Sequence, residues 1–195
     1  MKKRSARVES LHVGAEGTLA KSATTELEFA LDGIVGDRHR GLSRIAWEHD
    51  KQPEGTLRRN ERQWSAIASD ELAAIGESMQ LSTPLSAAAI GVNICLSGIA
   101  GLSRLPRGTL LQFESGVILM VEEYNPPCMD MGEKLAAEYA RTDSQPISPQ
   151  AFSQAARFSR GIVGVIEVAG RISAGEAVTI VAEDIPRWLR MNPSN

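Results

Sequence analysis

Apolar and polar residues alternate in short stretches along the chain, and this pattern predicts β-strands. Within residues 26–31, Leu27, Phe29 and Leu31 fall on one face at a period of two, and glutamates fall between them. Turn residues such as Asp32-Gly33 close these stretches. Further strands are predicted over residues 6–13, 63–67, 90–96, 110–113, 117–121, 161–168 and 177–181.

Three other stretches have a helical period. Leu72, Ile75 and Met79 form an apolar stripe after Ser69, which predicts a helix with a serine cap. Two more helices are predicted over residues 130–141 and 148–158, the second from its Ser-Pro start. Short strands separated by turns argue against a parallel doubly wound sheet. We therefore expect a mainly β fold with a few helices, namely a largely antiparallel β-barrel surrounded by three helices.

The length and composition fit one soluble domain. The chain has 195 residues, of which 43% are hydrophobic and 23% are charged. No apolar run reaches the roughly 18 residues of a membrane-spanning helix, and no signal-peptide core follows the basic N-terminus. Two cysteines do not make a disulfide framework, so we expect free thiols in a reducing cytoplasm.

The distribution of charge indicates a small anionic partner rather than a nucleic acid. The net charge is −3, but residues 1–62 carry 12 Lys and Arg against 10 Asp and Glu. This local excess suits a small phosphorylated ligand, whereas the alternative is a basic face exposed to solvent. The arginines of this part are Arg38, Arg40, Arg44, Arg58, Arg59 and Arg62.

A polar loop bounded by two glycines is the first candidate for chemistry. Its sequence is Gly36-Asp37-Arg38-His39-Arg40-Gly41. Arginine and histidine donate hydrogen bonds to phosphate or to metal-bound oxygen, and Asp37 could orient His39 by accepting its second ring N–H. The alternative is an ordinary polar turn with arginines on the surface.

Cys128 is the second candidate. It follows the strand predicted over residues 117–121 and the pair Pro126-Pro127, which stiffens the backbone and stops strand pairing. A reactive sulfur is well placed on such a rigid turn, although many free cysteines are only small buried hydrophobes. Cys95 lies inside a predicted strand and is expected to be inert. Asn93 shares its face and could line a site or pack.

The remaining segments show no clear pattern. Residues 42–62 are expected to form an irregular loop in which His49 lies at the surface. Trp188 and Leu189 belong to a C-terminal tail that either docks or is free. One domain over residues 1–195, with its core at about 5–182, accounts for the whole pattern.

Five motifs in order resemble the MOSC domain, the module named for the C-terminus of molybdenum cofactor sulfurases. The loop at residues 36–41 resembles the family's Gly-Asp-x-His-x-Gly, and Pro127-Cys128 resembles its Pro-Cys. The other matching segments are Arg62 with Ser69-x-Glu71-Leu72, Gly91-x-Asn93-Ile94 with Gly98, and Arg160-Gly161-x-x-Gly164-Val165 with the closing hairpin over residues 170–178.

The resemblance implies that the chain binds the molybdenum cofactor through its molybdopterin. It implies catalytic roles for Cys128, His39 and Asp37, with Cys128 as the metal ligand. Arg38, Arg40, Arg62 and Asn93 would join Cys128 in binding the cofactor, and arginine suits its phosphate. The main function implied is reduction of N-hydroxylated compounds, supplied with electrons by an electron-transfer protein.

A second function implied by the resemblance is sulfur transfer. Cys128 would accept a persulfide from a cysteine desulfurase and pass it on during assembly of a metal–sulfur cofactor. Pyridoxal phosphate enters only through that desulfurase, which is separate from or fused to other family members, and 195 residues leave no room for such a domain. The plain alternative is a barrel that binds another anion, with Cys128 packed and silent.

Overall fold

The computed structural model describes residues 3–182 except 16, 18 and 49. Thirteen strands are present in this part of the chain. Their bounds are Lys3–Val13 (β1), Ser22–Thr24 (β2), Glu26–Ala30 (β3), Gly33–Ile34 (β4), Ser43–Ile45 (β5), Leu57–Arg59 (β6), Trp64–Ala68 (β7), Ile94–Ser97 (β8), Leu110–Phe113 (β9), Ile118–Tyr124 (β10), Ile162–Val168 (β11), Gly170–Ser173 (β12) and Ala177–Val181 (β13).

The described residues form three α-helices, Ser69–Ser78 (α1), Met129–Glu138 (α2) and Gln150–Ala155 (α3), together with a 3₁₀ turn at Leu102–Arg104. None of them has the length and apolar character needed to cross a membrane. Helix α1 begins at Ser69 as predicted, but its first turn has no side-chain cap. The prediction of a serine cap there was therefore wrong, and the acidic side chains of Asp70 and Glu71 are what complement that helix end.

Seven strands close into a barrel. Their order is β13-β9-β10-β11-β7-β8-β1, and β1 pairs with β13 to close the ring. All neighbours are antiparallel except β7 and β8, which are parallel. Closure leaves these seven strands without a free edge. The predicted fold class is thus confirmed as a β-dominated barrel with three helices.

The apolar residues form two clusters, one inside the barrel and one under the helices. Strand β7 contributes residues to both clusters, and for this reason all five of its residues are buried. Trp64 and Ala66 face the interior, where the Trp64 indole donates to the Val165 carbonyl (2.9 Å). Ile67 faces outward and packs with the helical residues Ile75 and Phe152 in the second cluster.

Strand β8 is shorter than predicted. It begins at Ile94, so Asn93 lies before the strand rather than within it. The preceding residues form a turn in which Gly91 has a φ of +71°, and a Cβ there would lie 2.4 Å from the Leu19 carbonyl oxygen. Cys95 lies within β8 as expected and packs in the second apolar cluster.

Residues 42–62, predicted to be irregular, contain a two-stranded hairpin. Strands β5 and β6 pair antiparallel, with Ile45 opposite Leu57. Each strand has three residues, which is too short for a visible period of two. The predictions for His49, Trp188 and Leu189 concern residues outside the described part of the chain.

Gly161, directly before β11, tests how closely the backbone of this segment approaches strand β7. We expect Gly161→Ala to lower the free energy of unfolding by at least about 2 kcal/mol more than Gly116→Ala. Both glycines have similar φ values, +97° and +93°, but a Cβ at Gly161 would lie 2.1 Å from the Ala66 carbonyl oxygen, whereas nothing lies within 4 Å at Gly116.

Urea denaturation of the two variants measures the difference. Gly116→Ala should cost only the left-handed backbone strain, about 1–2 kcal/mol. Equal losses in the two variants would contradict the close approach of Gly161 to β7.

Candidate functional site

Asp37 lies at the centre of a buried polar group. Its carboxylate is inaccessible to solvent, and one oxygen accepts from the Gly14 N–H (3.2 Å), the Lys21 ammonium (2.5 Å) and the Asn93 amide (2.8 Å). The other oxygen accepts from the His39 backbone N–H (3.0 Å) and from His39 Nδ1 (3.1 Å). With donors on both oxygens, the carboxylate is held in one orientation.

Asp37 and Lys21 form an ion pair at neutral pH. Burial acts to raise the pKa of Asp37, but the His39 hydrogen bond and the Lys21 charge outweigh burial and hold that pKa well below its usual range. Burial lowers the pKa of Lys21 to about 8; Asp37 opposes this change, and the charges of Arg38 and Arg160 add to it. Lys21 is therefore still mostly protonated at pH 7.

His39 is neutral and has a defined tautomer. Its pKa is lowered, mainly by burial and further by the charges of Lys21 and Arg38, although Asp37 acts in the opposite direction. Because the ionised Asp37 can only accept hydrogen bonds, His39 Nδ1 must carry the ring proton. The contact expected between Asp37 and His39 is therefore present, and it leaves Nε2 as a proton acceptor on a ring that is about one-third exposed.

Asn93 joins the Asp37 group to the barrel wall. Its amide also donates to the His12 carbonyl (3.1 Å), and its carbonyl oxygen accepts from the Ser65 backbone N–H (3.1 Å) and hydroxyl (3.0 Å). With all its polar atoms engaged and 1% of its surface exposed, Asn93 positions Asp37 rather than a ligand.

Asn60 connects the loop of His39 to Arg62. Its amide donates to the carbonyls of His39 (2.8 Å) and Gly41 (2.9 Å), and its oxygen accepts from the Arg62 N–H (3.0 Å). The Arg62 guanidinium then donates to the Asn125 side chain (2.7 Å). These contacts connect the loop of His39 to the segment that precedes Cys128.

Cys128 is an exposed free thiol on a rigid turn. The strand β10 ends at Tyr124, and the Asn125 N–H still donates to the carbonyl of Gly161, the residue directly before β11 (3.0 Å). Pro126 and Pro127 then leave the sheet, and Cys128 occupies the position directly before helix α2. The thiol is thus held at the end of a barrel strand, where it can be reached from outside.

Arg160 is buried with unsatisfied hydrogen-bond donors. One of its terminal nitrogens donates to the Ile90 carbonyl (2.7 Å) and its guanidinium lies over the Phe152 ring (5.8 Å), but Nε and Nη1 have no partner. Burial lowers its pKa to about 10; the charge of Cys128 opposes this change, and the charge of Arg62 adds to it. The charge of Arg160 therefore interacts with the charges of both Cys128 and Arg62.

The structure brings together most of the residues predicted for the site. Asp37 contacts both His39 and Asn93, and the charge of Arg38 lowers the pKa of His39. Arg62 is joined to this group through Asn60 and to the segment before Cys128 through Asn125. Arg40 does not join it, because its guanidinium donates to both oxygens of Asp32 (2.9 Å each).

Two cations of the site were not predicted as site residues. Lys21 stands before a three-residue strand with no pattern around it. Arg160 belongs to a matching motif, but nothing in the sequence shows that its charge is buried. A single cation in an apolar context, here directly before Gly161 and Ile162, is a weak signal that could have marked it.

A family model described as the MOSC domain matches residues 38–179, most of the chain. The chain belongs to the MOSC family. A Bacillus subtilis (strain 168) protein with the name "Putative metal-sulfur cluster biosynthesis proteins YuaD" is 30% identical over 180 residues, which are 92% of each chain. The family predicted from the five motifs is thereby confirmed.

Solved structures of relatives share the fold of this MOSC domain. The crystal structure of the YUAD protein from Bacillus subtilis matches with a TM-score of 0.86 and 29% identity, over 94% of this chain and 99% of that chain. The structure of YiiM from Geobacillus stearothermophilus has a TM-score of 0.62 and 14% identity, over 93% and 77% of the two chains. At that identity YiiM shows the fold alone.

Asp37→Asn tests whether the carboxylate holds this MOSC domain's polar group together. We expect the variant to lose about 3 kcal/mol of unfolding free energy at pH 7, because it leaves the Lys21 charge buried without its partner. Asp32→Asn, in a part-exposed pair with Arg40, should lose less than about 1 kcal/mol.

The lowered pKa of Asp37 predicts that the difference in stability between wild type and Asp37→Asn depends on pH. Because the pKa of Asp37 is lower in the folded than in the unfolded state, its contribution to stability is present above pH 4 and falls as the pH drops below its ordinary value of 3.8. Denaturation curves should therefore converge for wild type and Asp37→Asn as the pH is lowered through that range. A constant difference down to pH 2 would contradict the lowered pKa.

Proposed function

We propose that this MOSC domain is a sulfur carrier, in which Cys128 accepts a sulfane sulfur from a cysteine desulfurase and delivers it to metal–sulfur cofactor assembly. The observation that carries the proposal is an exposed thiol on a rigid turn beside buried, incompletely partnered positive charge. The name of the Bacillus subtilis relative refers to metal–sulfur cluster biosynthesis and agrees with this role.

The transfer needs no external oxidant. The thiolate of Cys128 attacks the outer sulfur of a donor persulfide, a new S–S bond forms on Cys128, and the old S–S bond breaks to release the donor's thiolate. Electrons balance because one S–S bond replaces another. The product on Cys128 is a persulfide anion, which the charge of Arg160 would stabilise.

The two cysteines of the chain are placed for opposite roles. Cys128 is exposed, whereas Cys95 is buried in the second apolar cluster. Burial, with the charge of Glu9 adding to it, raises the pKa of Cys95 to about 12, so this thiol is not ionised at neutral pH. Cys95 therefore serves as an internal control for the reaction.

Incubation with a cysteine desulfurase and L-cysteine tests the proposal. We expect intact-mass spectrometry to show the addition of one sulfur atom to wild type and to Cys95→Ser, and no addition to Cys128→Ser. Peptide mapping after alkylation should place the added sulfur on Cys128. A persulfide that persists in Cys128→Ser, or none in wild type, would contradict the sulfur-carrier role.

A second candidate function, binding of the molybdenum cofactor, is favoured by Arg160. Its buried Nε and Nη1 have no partner, and an anionic oxygen such as that of a phosphate would satisfy them. In the described part of the chain no three His, Cys, Asp or Glu side chains converge on a metal position. A metal on Cys128 would therefore need ligands from an organic cofactor, as molybdopterin provides.

In this second function the cofactor would supply two-electron redox chemistry, such as reduction of an N-hydroxylated compound. The residues of this chain would hold it: the Cys128 thiolate as a soft metal ligand, and Arg160 with Lys21 as donors to its phosphate. His39, with a proton-accepting Nε2, would be available to a substrate. These roles stay predictions.

Metal and pterin analysis separates the two functions. The protein is expressed in a host that makes the cofactor, and molybdenum per chain is measured in wild type, Cys128→Ala, Arg160→Gln and the control Arg171→Gln, whose side chain is mostly exposed. If the cofactor binds, we expect about one molybdenum in wild type and Arg171→Gln, and at least about a tenfold weaker retention in Arg160→Gln. Wild type without molybdenum would rule out stable cofactor binding.

A further inference from the structure

An apolar face is exposed on the β5–β6 hairpin. Ile45 and Leu57 lie directly opposite each other in the ladder, so their side chains share one face. They are 51% and 69% exposed. Neighbouring exposed apolar side chains of this size mark interaction surfaces more often than single ones do. Ile45 and Leu57 are called the hairpin face.

The opposite side of the hairpin is held rigid by ion pairs. Arg44 donates to Asp50 (2.5 and 2.7 Å) and to Glu61 (2.5 Å), and Arg58 donates to the same Asp50 (2.7 Å). The Arg44 guanidinium also lies over the Trp47 ring (5.2 Å). All four charged side chains are at most 20% exposed. The hairpin face is therefore presented by a fixed structure and not by a loose loop.

The hairpin face adjoins the Cys128 site. Arg59 lies two residues after Leu57 in β6 and therefore shares its face. Its guanidinium pairs with Glu122 on β10, the strand that leads to Cys128. The next residue, Asn60, donates to the His39 carbonyl. A protein seated on the hairpin face would thus lie beside the end of β10 that leads to Cys128.

The border of the hairpin face is positively charged. Arg59 and Arg107, with side chains 54% and 71% exposed, share the single buried carboxylate of Glu122. Two cations on one carboxylate leave an excess positive charge at the surface beside the hairpin face. The partner that fits this surface has apolar side chains bordered by carboxylates.

We propose that the hairpin face docks the protein that donates sulfur to Cys128, a persulfide-bearing protein whose apolar contact patch is bordered by Asp and Glu. This inference rests on the proposed sulfur-carrier function and names its partner surface. Docking aligns the donor persulfide with Cys128, after which the outer sulfur moves as described above and the donor thiolate leaves. The hairpin face thereby contributes to encounter and orientation and takes no part in bond making.

The test measures transfer of labelled sulfur to the full chain from two donors. One is a cysteine desulfurase charged with radiolabelled cysteine, and the other is glutathione persulfide, which needs no docking. Wild type is compared with Leu57→Asp, with Ile45→Asp and with the control Val168→Asp. Val168 is an exposed apolar residue paired with Ile118, at the end of the β10–β11 ladder remote from Cys128.

We expect Leu57→Asp and Ile45→Asp to slow transfer from the desulfurase at least about tenfold and transfer from glutathione persulfide less than about twofold, with Val168→Asp like wild type for both donors. Transfer from the desulfurase to wild type should also slow as salt is raised, because the border is charged. Equal rates for all variants, or equal slowing with both donors, would overturn the docking role.

The outcomes separate this inference from the proposed function. If wild type takes sulfur from neither donor, the sulfur-carrier function itself fails, and the docking role fails with it. If wild type is a dimer in sedimentation and Leu57→Asp is a monomer, the hairpin face is occupied by a second copy of this chain, and the donor is not its partner.

Discussion

The buried carboxylate of Asp37 is the contact on which the site's geometry depends. It accepts hydrogen bonds from Gly14, Lys21, His39 and Asn93, which lie on the segments after β1, before β2, after β4 and before β8. Removing two charges from water costs several kcal/mol per ion, so a buried pair of this kind adds little net stability. Its effect is to hold three connecting segments in one arrangement, namely both ends of the β1–β2 connection, the loop after β4 and the turn before β8.

The strand pattern was predictable where burial alternates along a strand. Leu27 and Phe29 face the core while their glutamate neighbours face solvent, as the alternation predicted, but β3 ends at Ala30 and Leu31, predicted on the same face, is exposed. The β5–β6 hairpin was not predictable in this way. It is stabilised by the ion pairs of Arg44 and Arg58 rather than by an apolar face, and three-residue strands are too short to show a period.

The site was predictable only where its residues are neighbours in sequence or belong to a recognised motif. Asp37 and His39 are two residues apart, and their contact was inferred from that spacing. Lys21 and Arg160 are far apart in the sequence, and each bonds to the segment before β8, the Lys21 N–H to the Ala88 carbonyl and the Arg160 guanidinium to the Ile90 carbonyl. Strand order and closure depend on pairings that no local pattern specifies, so these two cations were missed.

The charges around Cys128 limit what the site can hold, and its exposure indicates how the site is used. The charge of the buried Arg160 interacts with that of Cys128, and Arg160 retains two nitrogens without a hydrogen-bond partner, so an anion is favoured near the thiol. A persulfide anion and a cofactor phosphate both meet this requirement, so charge alone does not choose between them. A sulfur that another protein must reach has to be accessible, and Cys128 is exposed and lies outside both apolar clusters. It follows strand β10, whose Glu122 pairs with Arg59 at the basic border of the hairpin face. Accessibility is required for transfer between proteins and not for holding a metal in an enclosed pocket, and for that reason the relay of sulfur is the function that this arrangement supports better.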